Sequence, residues 1–167
     1  MAEIHLIEGP VGAGKSTYAG RLALQRQAVH LNLDEWMVTL FRPDRPETDF
    51  MAWYAERKDR CIDQIWLVAC EILESGADVI LELGLVQHAA RQAFYHRAAG
   101  SEHKLSVTVV DAPFEVRRNR VLERNESQGS TYRMTVSEEI FNLANSAWEA
   151  PTNQECRDMD ITLIDHQ

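Results

Sequence analysis

The chain has 167 residues, 45% of them hydrophobic and 26% charged, which is the profile of one globular domain. Asp and Glu number 26 against 17 Lys and Arg, and the formal charge of −9 excludes a general coat for nucleic acid or anionic membrane. Only Lys15, Lys58 and Lys104 are lysines, so positive charge sits mainly on arginine.

The start, Met-Ala-Glu-Ile-His, carries no cationic leader, and Gly9 and Pro10 follow too soon for a signal peptide. No apolar run approaches the roughly 20 residues of a membrane span. Cys61, Cys70 and Cys156 lack metal-ligand spacing and are expected as buried, reduced thiols of a cytoplasmic protein.

Taken in order, Ile4–Glu8 predicts a strand, broken by a Gly/Pro-rich turn, and Ser16–Gln27 a helix. Val29–Leu33 predicts a second strand. Two prolines make 42–46 a loop, and a long helical pattern runs from about Thr48 to Glu74. Val79–Leu83 is a third strand, 87–99 a helix, and Leu105–Val110 a fourth strand. A helix from Pro113 to about Glu126 follows, then a polar loop over 125–133. Thr135 and Glu138 have capping-box spacing and open a helix to about Trp148, and Ile161–Ile164 closes the chain as a fifth strand. Strands alternating with helices at this spacing imply a parallel sheet covered on both faces.

The turn after the first strand reads Gly9-Pro10-Val11-Gly12-Ala13-Gly14-Lys15-Ser16, a full match to the phosphate-loop pattern G-x-x-x-x-G-K-[ST]. Glycines let successive backbone N–H groups turn inward, and the helix N-terminus adds partial positive charge. Lys15 can reach the terminal phosphates of ATP, and the Ser16 hydroxyl can take a position on Mg²⁺. No Asn-Lys-x-Asp guanine-reading motif and no Ser-Gly-Gly signature is present, which leaves a small phosphotransferase as the best fit to the length.

Phosphoryl transfer needs a carboxylate to orient the acceptor hydroxyl and take its proton. Asp34, just past the carboxyl end of the second strand, lies at the ligand edge of such a sheet; its alternative is to cap the following helix. Glu82 interrupts an apolar strand and either holds Mg²⁺ with Ser16 and Asp34 or is an ion-paired strand end. Between Val116 and Arg133 five arginines face two glutamates. Arg120 and Arg124 are spaced i, i+4, two forks that can stabilise a transferring phosphoryl group. Arg117 shares that face more deeply, and Arg118 points elsewhere.

Together the phosphate loop, Leu33-Asp34, Asp111-Ala-Pro-Phe-Glu-Val and Arg120-x-x-x-Arg124-Asn125 resemble the small P-loop kinases. The branch is that of the polynucleotide 5′-kinase domain, chloramphenicol phosphotransferase and zeta toxins. Tyr132-Arg-Met-Thr-Val-Ser-Glu-Glu, with Pro151 and Glu155, is similar to the AAA-type ATP-binding proteins of this branch. The resemblance implies an α/β three-layer, adenylate-kinase-like P-loop fold, a five-stranded parallel sheet in order 2-3-1-4-5, and one domain over 1–167 with an arginine lid at about 117–135. It implies an aspartate in the place of Asp34 as catalytic base; at the end of the third strand this sequence departs from it, with Glu82 where many relatives carry an aspartate.

The expected activity is transfer of the γ-phosphate of ATP, with Mg²⁺, to a hydroxyl of an unidentified small molecule. A 5′-hydroxyl nucleic acid is disfavoured by the net charge, and the alternative is an ATP-hydrolysing switch or nucleotide-binding module acting on a protein. Nucleotide contacts are expected from Gly9, Pro10, Val11, Gly12, Ala13, Gly14, Lys15, Ser16, Thr17 and Arg120; catalysis from Asp34, Lys15, Arg120 and Arg124. The acceptor is placed near Trp36, Met37, Phe41, Trp53 and Arg57, with Arg91 as a further contact, although the helical spacing of the aromatics also suits a core.

Overall fold

The computed structural model describes residues 1–130 and 132–165. Five strands, β1 (Glu3–Glu8), β2 (Val29–Asn32), β3 (Val79–Glu82), β4 (Lys104–Asp111) and β5 (Thr162–Asp165), form one sheet in the order β2-β3-β1-β4-β5. Every pairing is parallel, with Asn32 beside Glu82 and Leu6 between Leu81 and Val107. This is the expected strand order, and it places the ends of β1, β2 and β3 along one edge.

The helices are α1 (Lys15–Arg26), α2 (Leu33–Leu40), α3 (Phe50–Glu74), α4 (His88–Ala99), α5 (Phe114–Ser127), α6 (Glu138–Ala147) and α7 (Asn153–Asp158). Side chains alternate across a strand, and β1 presents buried residues to both faces. Ile4 and Leu6 pack with Leu81 and Val107 against Cys61, Ile65 and Ala69 of α3 and Phe94 of α4. Ile7 turns to the other face, where it meets Ile80, Val110 and Ala19 of α1. A smaller cluster of Val121, Val136 and Phe141 joins α5 to α6.

Three local expectations are corrected. Thr135 does not cap α6: the helix starts later, with the Ser137 hydroxyl accepting from the Ile140 amide, and the Thr135 hydroxyl pairs with that of Tyr132. Of the cysteines only Cys61 is buried; Cys70 and Cys156 are half-buried, and all three are free. Arg91 is no acceptor contact, because it is fully buried beneath the sheet edge. Its Nε and Nη2 donate to the two Glu155 oxygens at 2.6 and 3.0 Å, and its Nη1 donates to the Glu149 carbonyl at 2.8 Å. The Tyr95 hydroxyl adds a bond to Glu155 at 3.1 Å.

Glu155 belongs to α7, which the strand-and-helix pattern does not anticipate. Its signal is nevertheless present: Thr152 and Glu155 have capping-box spacing, and the Thr152 hydroxyl accepts from the Glu155 amide at 3.1 Å. The side chain turns away to Arg91 and so ties the C-terminal segment to α4. Burial would raise the Glu155 pKa, but the bonds from Arg91 and His88 outweigh it and hold it at about 2. Its stabilising contribution is therefore complete above the ordinary value of 4.5 and is lost as pH falls from there to about 2. Glu155→Ala, which leaves the buried Arg91 charge with only the 3.6 Å contact to Glu8, is expected to cost about 3 kcal/mol in urea unfolding at neutral pH.

Candidate active site

The phosphate loop leaves β1 at Gly9 and enters α1 at Lys15. Two of its glycines are required by close approach as well as by backbone angle. A Cβ at Gly9 (φ 145°) would collide with the Val110 carbonyl at the end of β4. One at Gly12 (φ 78°) would lie 2.6 Å from the Arg117 carbonyl. The loop is thus pressed between β4 and α5.

Within it, the Lys15 ammonium donates to the Pro10 carbonyl at 2.9 Å. Crowding by protein lowers the Lys15 pKa, with Arg124 and Arg117 adding to the effect and Glu82 and Asp34 opposing it. The Ser16 hydroxyl donates to Glu82 Oε1 at 2.8 Å across the crevice. Glu82 ends β3 and is buried. Its other oxygen takes the Asn32 amide at 2.8 Å and lies 3.2 Å from His30 Nε2. Burial would raise its pKa; the bonds from His30 and Ser16 and the charge of Lys15 bring it below the ordinary value. Glu82 is a carboxylate held by polar groups, and no arginine or lysine bridges it among the described residues.

Sequence reasoning missed His30 and Asn32 as its supports. The signal lies in strand alternation: residues 30 and 32 share a face of β2, and the register sets Asn32 beside Glu82.

Asp34 sits in the first turn of α2 but does not cap it. The cap is Asn32, whose side-chain oxygen accepts from the Glu35 amide at 3.2 Å. The Asp34 carboxyl is left open to solvent at a point crowded by protein. That crowding and the nearby Glu82 charge push its pKa up, while Lys15, Arg124 and Arg133 oppose the rise. Tyr54 of α3 is a second neighbour that the sequence did not single out: burial and the Asp34 charge push its hydroxyl up to about 12.

The arginines divide by role. Arg117 is buried and donates to the Ala112 and Val11 carbonyls at 2.9 and 3.1 Å and to Asn145 at 2.8 Å, so it is a strut under the loop. Arg118 points away and bonds Glu138. Arg120 Nη1 reaches the Ala13 carbonyl at 3.3 Å and lines a cavity of about 300 Å³ with Gly14, Thr17, Tyr18 and Arg21. Arg124 faces Asp34 and Glu82, and Arg133 joins it from the segment after α5. The Nε groups of Arg124 and Arg133 are buried without a hydrogen-bond partner among the described residues, which is the condition of donors awaiting an anion.

Around the expected acceptor side, Met37 is core, and Trp36, Phe41 and Tyr54 pack on that core. Trp53 is half-buried under the Arg57 guanidinium, 4.6 Å from its ring centre. The lining is therefore mainly the outer surface of the core, and Asp34 stands in front of it.

The profile of one AAA domain family matches residues 4–151, from β1 past the end of α6. The chain belongs to this AAA domain family. No curated protein matches it. Among solved structures, a sugar kinase from Janibacter sp. HTCC2649 superposes with a TM-score of 0.65 at 16% identity, over 99% of this chain and 86% of that one. The Mycobacterium tuberculosis APS kinase CysC, in complex with AMPPNP and APS, does so at 0.61 and 16%, over 98% and 88%. Kti12 of Chaetomium thermophilum in complex with ADP-AlF3 gives 0.66 and 14%, over 97% and 88%. These likenesses establish the P-loop fold of this AAA domain protein. No helix among its described residues is long and apolar enough to cross a membrane.

Proposed function

We propose that the protein is an ATP-dependent phosphotransferase acting on a hydroxyl of a small molecule. The observation that carries this reading is Asp34: a carboxylate released from capping by Asn32, open to solvent, and standing beside Lys15, Arg124 and Glu82. A fold that only bound nucleotide would have no use for it. The residues fit MgATP. The loop offers Lys15 and the backbone of 9–17, Ser16 and Glu82 offer oxygens suited to a hard divalent cation, and Arg124 and Arg133 hold unused donors. When bound, MgATP supplies the phosphoryl group and the metal charge that steadies it.

The chain's own residues do the rest. Lys15, Arg120 and Arg124 hold and neutralise phosphate oxygens, and Asp34 orients the acceptor hydroxyl and takes its proton. Its pKa is raised, toward the range where a general base works best. A small acceptor agrees with the −9 charge, which opposes a long polyanion, and with the sugar kinase and APS kinase among the similar structures. An untargeted ³²P-transfer screen, with metabolite pools and 5′-hydroxyl oligonucleotides side by side, is expected to label a small molecule. ATP turnover that needs a protein partner and labels nothing would overturn the reading.

A further inference from the structure

Behind the phosphate loop lies a buried carboxyl that the proposed chemistry does not use. Glu8 is the last residue of β1, next to Gly9, and strand alternation turns its side chain with Ile4 and Leu6 toward α4, away from α1. It is 2% exposed. The groups that face it are Arg91 and Tyr95 from α4, Glu155 from α7 and Lys15 from the phosphate loop, with His88 behind Glu155.

The geometry divides these partners unequally. Arg91 spends its Nε and Nη2 on the two oxygens of Glu155 and its Nη1 on main-chain carbonyls. Glu8 receives only a sideways contact, 3.6 Å from Arg91 Nε, and a long bond of 3.5 Å from the Tyr95 hydroxyl. Its Oε1 has no partner among the described residues. One guanidinium thus serves two buried carboxylates and satisfies one of them. A proton on the other is what the site's charge lacks.

We propose that Glu8, buried beside Arg91 and next to the phosphate loop, is a positioning residue for that loop, and that nucleotide binds more tightly when the Glu8 carboxyl carries its proton than when it is ionised. This rests on the nucleotide-binding part of the proposed function. A neutral carboxyl sits quietly under the loop. An ionised one places a negative charge one residue from Gly9, opposing the phosphates and competing for the field of Lys15. Burial pushes the Glu8 pKa up to about 8, with Arg91 opposing and Glu155 adding to the rise, so the change falls in an accessible range. Bound phosphate, being anionic, favours the protonated form and raises that value further. Binding therefore takes up protons, and affinity falls as pH rises past the value of the free protein.

The test is calorimetry with MgADP, which needs no acceptor. Between about pH 7 and 9 the dissociation constant of the wild-type protein is expected to rise roughly three- to tenfold. Near pH 8, buffers of different ionisation enthalpy are expected to reveal uptake of part of a proton, a measurement that needs no variant. Glu8→Gln, the shape of the neutral form, is expected to lose both the slope and the uptake. MgADP binding with a flat wild-type profile, or a Glu8→Gln protein that keeps the slope, would overturn the proposal alone. Absence of MgADP binding at every pH would overturn it together with the nucleotide-binding reading.

Discussion

Lys15→Ala is expected to abolish nucleotide binding in calorimetry, with an affinity loss of more than about 100-fold. The ammonium is already gathered inside the loop on the Pro10 carbonyl, with its pKa lowered by crowding, and Glu82 and Asp34 favour its charge. An anion arriving there replaces one carbonyl oxygen with charged partners, and charge-assisted bonds are roughly twice as strong as neutral ones. Alanine removes the cation and leaves Asp34 and Glu82 to repel the phosphates with only the arginines in opposition. The loop's own shape does not depend on Lys15, because Gly9 and Gly12 are fixed by Val110 and Arg117. Folding should survive, as a circular dichroism melt would verify. Unchanged affinity for ATP would overturn the phosphate-loop assignment.

Asp34→Asn is expected to keep ATP affinity and to lose phosphoryl transfer by about 10²–10⁴-fold, the usual share of a general base. The substitution preserves shape, and the α2 cap is untouched because Asn32 makes it. What disappears is the capacity to accept a proton from the acceptor hydroxyl. The measurement is transfer of ³²P to the acceptor identified by screening, with ATP affinity determined in parallel. A variant that transfers within about threefold of wild type would show that Asp34 is not the base.

Much of this architecture is legible in the residues. β3 stands out as a buried, largely apolar run and β4 as a β-branched one, and the phosphate loop is visible because its glycines serve backbone angles that no other residue adopts freely. Two short helices are faint in that reading for physical reasons: α7 is not anticipated, and α2 enters only as the helix that follows Asp34. In α2, the eight residues Leu33–Leu40 are too few for a 3.6-residue period to separate from the preceding strand, and α7 has six. The arginine run is visible as charge but not as function. Arg117, Arg120 and Arg124 look alike along a helical face, and only tertiary contacts separate the strut under the loop from the two that face the crevice. Arg91 is the same lesson in reverse: a residue whose type suggests substrate is buried by a carboxylate from α7, 64 positions away. Asp34 lies just past the end of β2, yet its freedom from capping depends on whether Asn32 or Asp34 takes the cap, a choice made by the strand's end.

The contact of Gly12 with the backbone of α5 has a mechanical consequence. Arg117 fastens that helix to the Val11 and Ala112 carbonyls, so the loop and the first three turns of α5 behave as one block. Arg120 and Arg124 ride on it already aimed, and little side-chain entropy remains to be lost when phosphates arrive. Past Gln128, where the backbone turns left-handed (φ 47°), Arg133 comes from the segment between α5 and α6, whose Val136 is tied to the Asn125 side chain by two hydrogen bonds. Preorganisation is thus built into the phosphate end of the crevice.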